Sequence, residues 1–412
     1  MSTLVIRDGR VICPATSHDA DATLIVRAGT IAERLPKGAP TPHDATVIDA
    51  TGCWVMPGGV DLCCYIRSPG AEEEESLAAT LHGALRGGVT SVLAMPSTRP
   101  PTDGADDVTE RLASAAGLGG ARLLVAGALS VGREGTDLAE IGEMTRAGAL
   151  AFTDAPDGVR NPELLRRAME YAKGFERPVI ATSLCPALKG HGVIHESPLA
   201  TRLGLPGVPE AAETTHVARN LELCRLTGAR THLGPLSTSR ALRMVAAAVD
   251  EGLPVSAEVH PYHLLLDENV HRERPYDTSL HLVPPLRSDD DRAALIAAVE
   301  AGLLSVASGH APVGREGKEL EFAWSTPGAI SLPFLLPLLL EVPGLSPLAI
   351  ARATSQHPAA FLGLDSQGTL HIGARADIVV IDPNSPCEVA TVLRDGAENT
   401  PWRHRSLRGS VR

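Results

Sequence analysis

Two rhythms of apolar and polar positions alternate along the chain. Up to about residue 56, short strand-like runs appear at 4–6, 10–12, 22–26 and 46–48, broken by Asp8-Gly9 and Ala28-Gly29. Short alternating runs between turn dipeptides predict strands. From about residue 57, β-branched runs at 91–95, 123–126, 149–153, 178–182, 230–233, 254–259 and 304–308 alternate with helical stretches. The clearest of those stretches are 77–86, 162–173, 210–226 and 239–251. Strand then helix, repeated about eight times over roughly 300 residues, predicts a closed parallel (β/α)₈ barrel. Past residue 365, strand-like pieces return at 368–372 and 377–381, followed by Asp382-Pro383. Pairing them with the N-terminal strands predicts an α/β chain of three segments. Residues 1–56 and 365–412 form a small β-sandwich, and residues 57–364 form the barrel.

Composition narrows the function classes. With 37 basic against 49 acidic residues the net charge is −12, which argues against general binding to nucleic acid or to an anionic membrane. The seven cysteines are odd in number and form no CxxC pair, which fits a reducing compartment better than a disulfide framework. The apolar stretch at 332–340 is interrupted by Pro333 and Pro337, and no run reaches the ~18 apolar residues of a membrane helix. The N-terminus alternates like a strand, without a secretory pattern. A soluble, cytoplasmic protein is expected.

The candidate chemistry lies at the end of the first barrel strand, Gly58-Gly59-Val60-Asp61-Leu62-Cys63-Cys64-Tyr65-Ile66-Arg67-Ser68-Pro69-Gly70. Residues two apart in a strand face the same side, so Cys63 and Tyr65 share one direction. Further motifs follow in order: Met95-Pro96-Ser97-Thr98, Ala151-Phe152-Thr153-Asp154, Gly192-Val193-Ile194-His195-Glu196 and Ala257-Glu258-Val259-His260-Pro261-Tyr262-His263. Pro284-Pro285-Leu286-Arg287, His310-Ala311-Pro312 and Asn399-Thr400-Pro401 complete the series. Taken together, in this order and over nearly the whole chain, they resemble the type I dihydroorotases of the amidohydrolase superfamily.

That resemblance implies a zinc site and a catalytic aspartate, and the positions that would supply them are changed. The two histidines of the first strand are Cys63 and Tyr65, two later histidines are Thr182 and Pro235, and the catalytic aspartate is Gly309. Asp154 alone keeps a carboxylate. In the substrate pocket Arg67 and His310 are kept, while Ser97, Val283 and Val313 replace the asparagines and histidine of relatives. Three converging donors are the least a divalent ion requires, so no metal, cofactor or catalytic residue is expected. His260, His263 and His310 are read as structural, Glu72 to Glu75 as a solvated acidic loop, and Asp61 or Asp154 as the partner of Arg67. The resemblance then implies a catalytically inactive homologue, a structural subunit in hetero-oligomers with aspartate carbamoyltransferase in pyrimidine biosynthesis. The alternative is an active cyclic amidohydrolase, dihydroorotase- or hydantoinase-like. Its altered metal site would draw on Cys63, Tyr65, Asp154, His260 or His263. A third reading is a metal-free sensor gripping a carboxylate through Arg67.

Overall fold

The computed structural model describes residues 3–393 and 397–412. The first strands are β1 (Thr3–Cys13), β2 (His18–Arg27), β3 (Thr30–Pro36), β4 (Thr46–Asp49) and β5 (Trp54–Pro57). β2 pairs antiparallel with both β1 and β3, while β4 and β5 run parallel to β1. The runs expected at 4–6 and 10–12 are a single strand with an irregularity between Ile6 and Gly9. Both its faces are buried, Ile6 and Val11 in the cluster of the N-terminal sheet and Ile12 in the main core.

The barrel strands are β6 (Gly59–Cys64), β7 (Val89–Ala94), β8 (Arg122–Gly127), β9 (Ala151–Phe152) and β10 (Val179–Thr182). An excursion carries β11 (Ile194–His195) and β12 (Gly207–Val208), which pair only with each other. The barrel resumes with β13 (Thr231–Gly234), β14 (Val255–Val259) and β15 (Leu304–Val306). The eight lie in the order β6-β7-β8-β9-β10-β13-β14-β15, all parallel. The two ends of this order meet just beyond β15, where Cys64 bridges His310 and the Tyr65 amide donates to the His310 carbonyl at 2.9 Å. Side chains alternate across the barrel wall as a two-residue period requires. Leu93, Leu124, Ala126 and Ile180 pack in one cluster with Val60 and Leu62, whereas Val92, Leu123, Val125 and Val179 pack among the helices.

The helices at Leu77–Arg86, Pro162–Gly174, Ala211–Thr227, Ser239–Asp250 and Asp289–Ala301 lie close to the predicted bounds where a prediction existed. Ser76, Asn161, Thr238 and Ser288 cap four of them, each side chain accepting a first-turn amide. Such caps hold otherwise unpaired donors. Asp289, Asp290 and Asp291 add acidic charge to one helix start, where the helix dipole favours it.

The other end of the chain returns as β16 (Ile378–Glu388) and β17 (Ser406–Val411). β16 pairs antiparallel with β5 and with β17, so both ends of the chain build one seven-stranded sheet. The run at 368–372 is not a strand. Gly368 and Gly373 take φ of +68° and +92°, and the Leu370 amide donates to the Cys13 sulfur at 3.2 Å. No helix among the described residues is long and apolar enough to cross a membrane.

Candidate functional site

Parallel barrels present their chemistry at the C-terminal ends of the strands, and there the expected residues gather. A cavity of about 490 Å³ is lined by Tyr65, Arg67, Ser97, Thr182, Pro235 and Gly309, with His260, Tyr262 and Val283 beside them. That volume suits a small-molecule ligand. The hydroxyls of Ser97 and Thr182 are buried without a hydrogen-bond partner. His310 and Val313 do not line it. His310 lies beneath the wall, its Nε2 2.8 Å from Glu75 Oε2, and Val313 borders a separate surface hollow.

Two acidic residues near the site serve the framework. Asp61 accepts from the Ser308 amide at 2.7 Å and the Ser308 hydroxyl at 2.5 Å, clasping β6 to the segment after β15. Burial outweighs these bonds and pushes its carboxyl up to about 6. Asp154 accepts from the amides of Leu129 and Ser130 at 2.8 and 3.2 Å and from the Ser130 hydroxyl at 2.5 Å. Its oxygens are thus held by the loop after β8 and turned from the cavity.

Arg67 therefore finds another partner than the two expected. Its Nε donates to the Pro312 carbonyl at 2.7 Å and lies 2.9 Å from Glu74. The acidic loop is correspondingly less solvated than predicted. Glu74 pairs with Arg67, and Glu75 is buried between His310 and the Thr80 hydroxyl, which donates at 2.6 Å. Burial raises the Glu75 carboxyl, but the imidazole and hydroxyl outweigh it and hold it below the usual carboxylate range.

A second constellation was missed. Glu258, on β14 and fully buried, has Oε2 at 3.2 Å from His232 Nε2 and Oε1 at 3.4 Å from His260 Nε2. Burial raises its carboxyl, yet the two imidazoles prevail and hold it at about 2. His232 Nδ1 lies 2.8 Å from the Ser256 hydroxyl, and His260 Nδ1 lies 2.5 Å from the Tyr262 hydroxyl. Cys63 completes the group: its sulfur, a Glu258 oxygen and a His260 nitrogen all lie within 4.8 Å of one another. The signal was present in the sequence. Glu258 and His260 are two apart at a strand end and share a face, but of the two only His260 was weighed as a donor.

His263 Nε2 lies 3.0 Å from the Pro284 carbonyl. The zinc set that the resemblance implies does not fit these residues. Asp154 is tied to the loop after β8, Pro235 and Gly309 carry no donor, and Thr182 offers a hydroxyl only. Gly309 has φ +60°, and a β-carbon there would lie 2.2 Å from His260 Nδ1, so an aspartate has no room while His260 stands.

Residues 52–241 match the family described as Dihydro-orotase-like. A dihydroorotase of Anaeromyxobacter dehalogenans is 39% identical over 411 residues, covering 98% of this chain and 94% of its own. One from Syntrophobacter fumaroxidans is 38% identical over 414 residues, with 98% and 93% covered. Among solved structures, an L-hydantoinase from Arthrobacter aurescens superposes with a TM-score of 0.86 at 21% identity, covering 100% of this chain and 94% of that one. A D-hydantoinase from a Thermus species gives 0.80 at 23%, with 99% and 93% covered. These two likenesses are of fold. The full-length relatives named as an enzyme overturn the expectation that the chain is not one. That expectation counted donors only at the family's ligand positions and left Glu258 out.

Proposed function

The chain belongs to the dihydroorotase-like family, and on that premise we propose that it is a cyclic amidohydrolase of altered site, acting on a small cyclic amide that bears a carboxylate. The reaction is addition of water across a ring C–N bond, or its reversal. The observation that carries this reading is the cavity of about 490 Å³ at the strand ends, where Arg67, Ser97 and Thr182 converge. Arg67 supplies the cationic fork that suits a carboxylate. The hydroxyls of Ser97 and Thr182 are buried with no partner, and buried polar groups of that kind are normally satisfied. A ring carbonyl and a ring N–H would satisfy them and fix the ring's orientation. Ligands here would also be screened from bulk water by Tyr65, Tyr262 and Val283, which strengthens each polar contact. The family's zinc chemistry is not routed through this site, since its ligand positions do not supply the donors. Partnership with aspartate carbamoyltransferase, implied by the resemblance, is proposed as compatible with this activity.

The test is turnover. Ring opening of dihydroorotate and of hydantoins, and ring closure of carbamoyl aspartate, are followed by chromatography with protein purified without chelator. Turnover is expected with at least one of them. Arg67→Gln should raise KM for a carboxylate-bearing substrate about tenfold or more, on the scale of one charge-assisted hydrogen bond. KM for an uncharged hydantoin should stay unchanged. Absence of ring opening or closure with every substrate, under all divalent metals supplied, would overturn the reading.

A further inference from the structure

We propose that Cys63, Glu258 and His260 form a binding site for a single divalent cation of the zinc class, distinct in its ligands from the set the family resemblance implies. The three ligand atoms lie within 4.8 Å of one another, and those of Glu258 and His260, two apart at one strand end, are 3.4 Å apart. Donors on a tetrahedral ion with bonds of about 2.0–2.3 Å are separated by distances of that order. One thiolate, one carboxylate oxygen and one imidazole nitrogen make a mixed donor set that suits a borderline ion such as Zn²⁺ better than Ca²⁺ or Mg²⁺.

A second observation points to the same place. His260 Nε2 is buried, has no hydrogen-bond partner, and is aimed at Glu258. Nδ1 lies 2.5 Å from the Tyr262 hydroxyl, which leaves Nε2 as the ring nitrogen free to take an ion. A buried polar atom left without a partner is costly, and a cation bound at Nε2 would satisfy it. The outer contacts are those of a metal ligand shell. Glu258 Oε2 is held by His232, whose Nδ1 meets Ser256.

β6 and β14 are separated in the barrel order by β15, and Gly309, just beyond β15, presents no side chain between them. A β-carbon there would fall 2.2 Å from His260 Nδ1. Tyr65, two residues beyond Cys63, lines the cavity. The fourth coordination position therefore falls to Tyr65 or to a molecule entering from the cavity. Three protein ligands with one open position is the arrangement of catalytic rather than purely structural zinc sites. On binding, the Cys63 S–H bond breaks, its electron pair goes to the metal, and its proton leaves to solvent.

The experiment uses the full chain without an affinity tag, stripped by chelator and titrated with Co²⁺, then with Zn²⁺ in competition. One equivalent should bind, with a near-ultraviolet thiolate-to-cobalt charge-transfer band that zinc abolishes. Cys63→Ser should lose the band, while Cys224→Ser, at a buried cysteine remote from the site, should keep it. Glu258→Gln should weaken cobalt binding by about tenfold or more. The wild-type band needs no variant, so the proposal stays testable even if Cys63→Ser fails to fold. No cobalt bound, cobalt bound without the band, or a band that survives Cys63→Ser would each overturn it. Binding is read without substrate, so this centre and the amidohydrolase reading stand or fall separately.

Discussion

Gly309 and His260 trade volume. A β-carbon at 309 would lie 2.2 to 2.6 Å from three atoms of the His260 ring, and the backbone there sits at φ +60°, which side chains rarely adopt. Gly309→Asp should therefore cost about 3 kcal/mol or more, from overpacking and backbone strain together. Adding His260→Thr should return part of that loss, with a coupling of about 1 kcal/mol or more in a double-mutant cycle on urea midpoints. Strictly additive losses would show that the ring is not what excludes the aspartate. This pair marks how far residues could be read from the sequence alone. That Gly309 lacks a carboxylate is plain from the sequence, but that His260 fills the space is a fact of packing. Glu258 was legible in principle, as a Glu-x-His pair on one strand face. Nothing in the sequence says that Cys63, some 200 residues earlier, comes to meet it.

At the scale of elements, the barrel closes through one clasp. Asp61 on β6 holds both the amide and the hydroxyl of Ser308, beside the Tyr65 amide bonded to the His310 carbonyl. Asp61→Ala leaves a buried amide without an acceptor, which costs about 1–3 kcal/mol. It should also speed hydrogen exchange at Tyr65, while the edge strand β3 keeps its protection. Asp61→Asn, which preserves an acceptor for the amide, should cost less. Equal losses in both variants would assign the effect to the lost charge. Elements of this kind were the most legible part of the chain. Ser76, Asn161-Pro162, Thr238 and Ser288 announce helix starts, and β-branched runs announce the barrel strands. The paired β11 and β12 were not foreseen, because two residues each are too short to show a period. The run at 368–372 misled because its apolar pattern sits between glycines that take positive φ. Arg67 was assigned the wrong partner for a similar reason. Asp61 and Asp154 are near in sequence pattern but already engaged by Ser308 and by Leu129 and Ser130, leaving Glu74.

Across the whole molecule, the buried histidines set how stability responds to acid. His216, His271 and His281 are pushed down to about 4 and His263 to about 3, in each case chiefly by burial. The Arg219 guanidinium adds to this at His216, and Lys318 adds to it at His281. In the unfolded chain these rings protonate near 6.5. Between about pH 6.5 and 4 the unfolded state therefore binds more protons, and stability falls as pH falls. Asp61 acts in the opposite sense. Its carboxyl is at about 6 when folded against 3.8 as a free side chain, so it adds stability as pH drops through that range. Glu258, at about 2 against 4.5, removes stability only below about pH 4.5. A one-unit difference between folded and unfolded pKa is worth about 1.4 kcal/mol. Four buried imidazoles outweigh the one opposing carboxyl, so stability falls on balance between pH 6.5 and 4. The urea midpoint should accordingly drop steadily from pH 7 to pH 4.5, and His216→Asn together with His281→Asn should flatten the slope. A midpoint that holds level or rises over that interval would mean that these rings remain protonated in the fold, and that their neighbours, not burial, govern them.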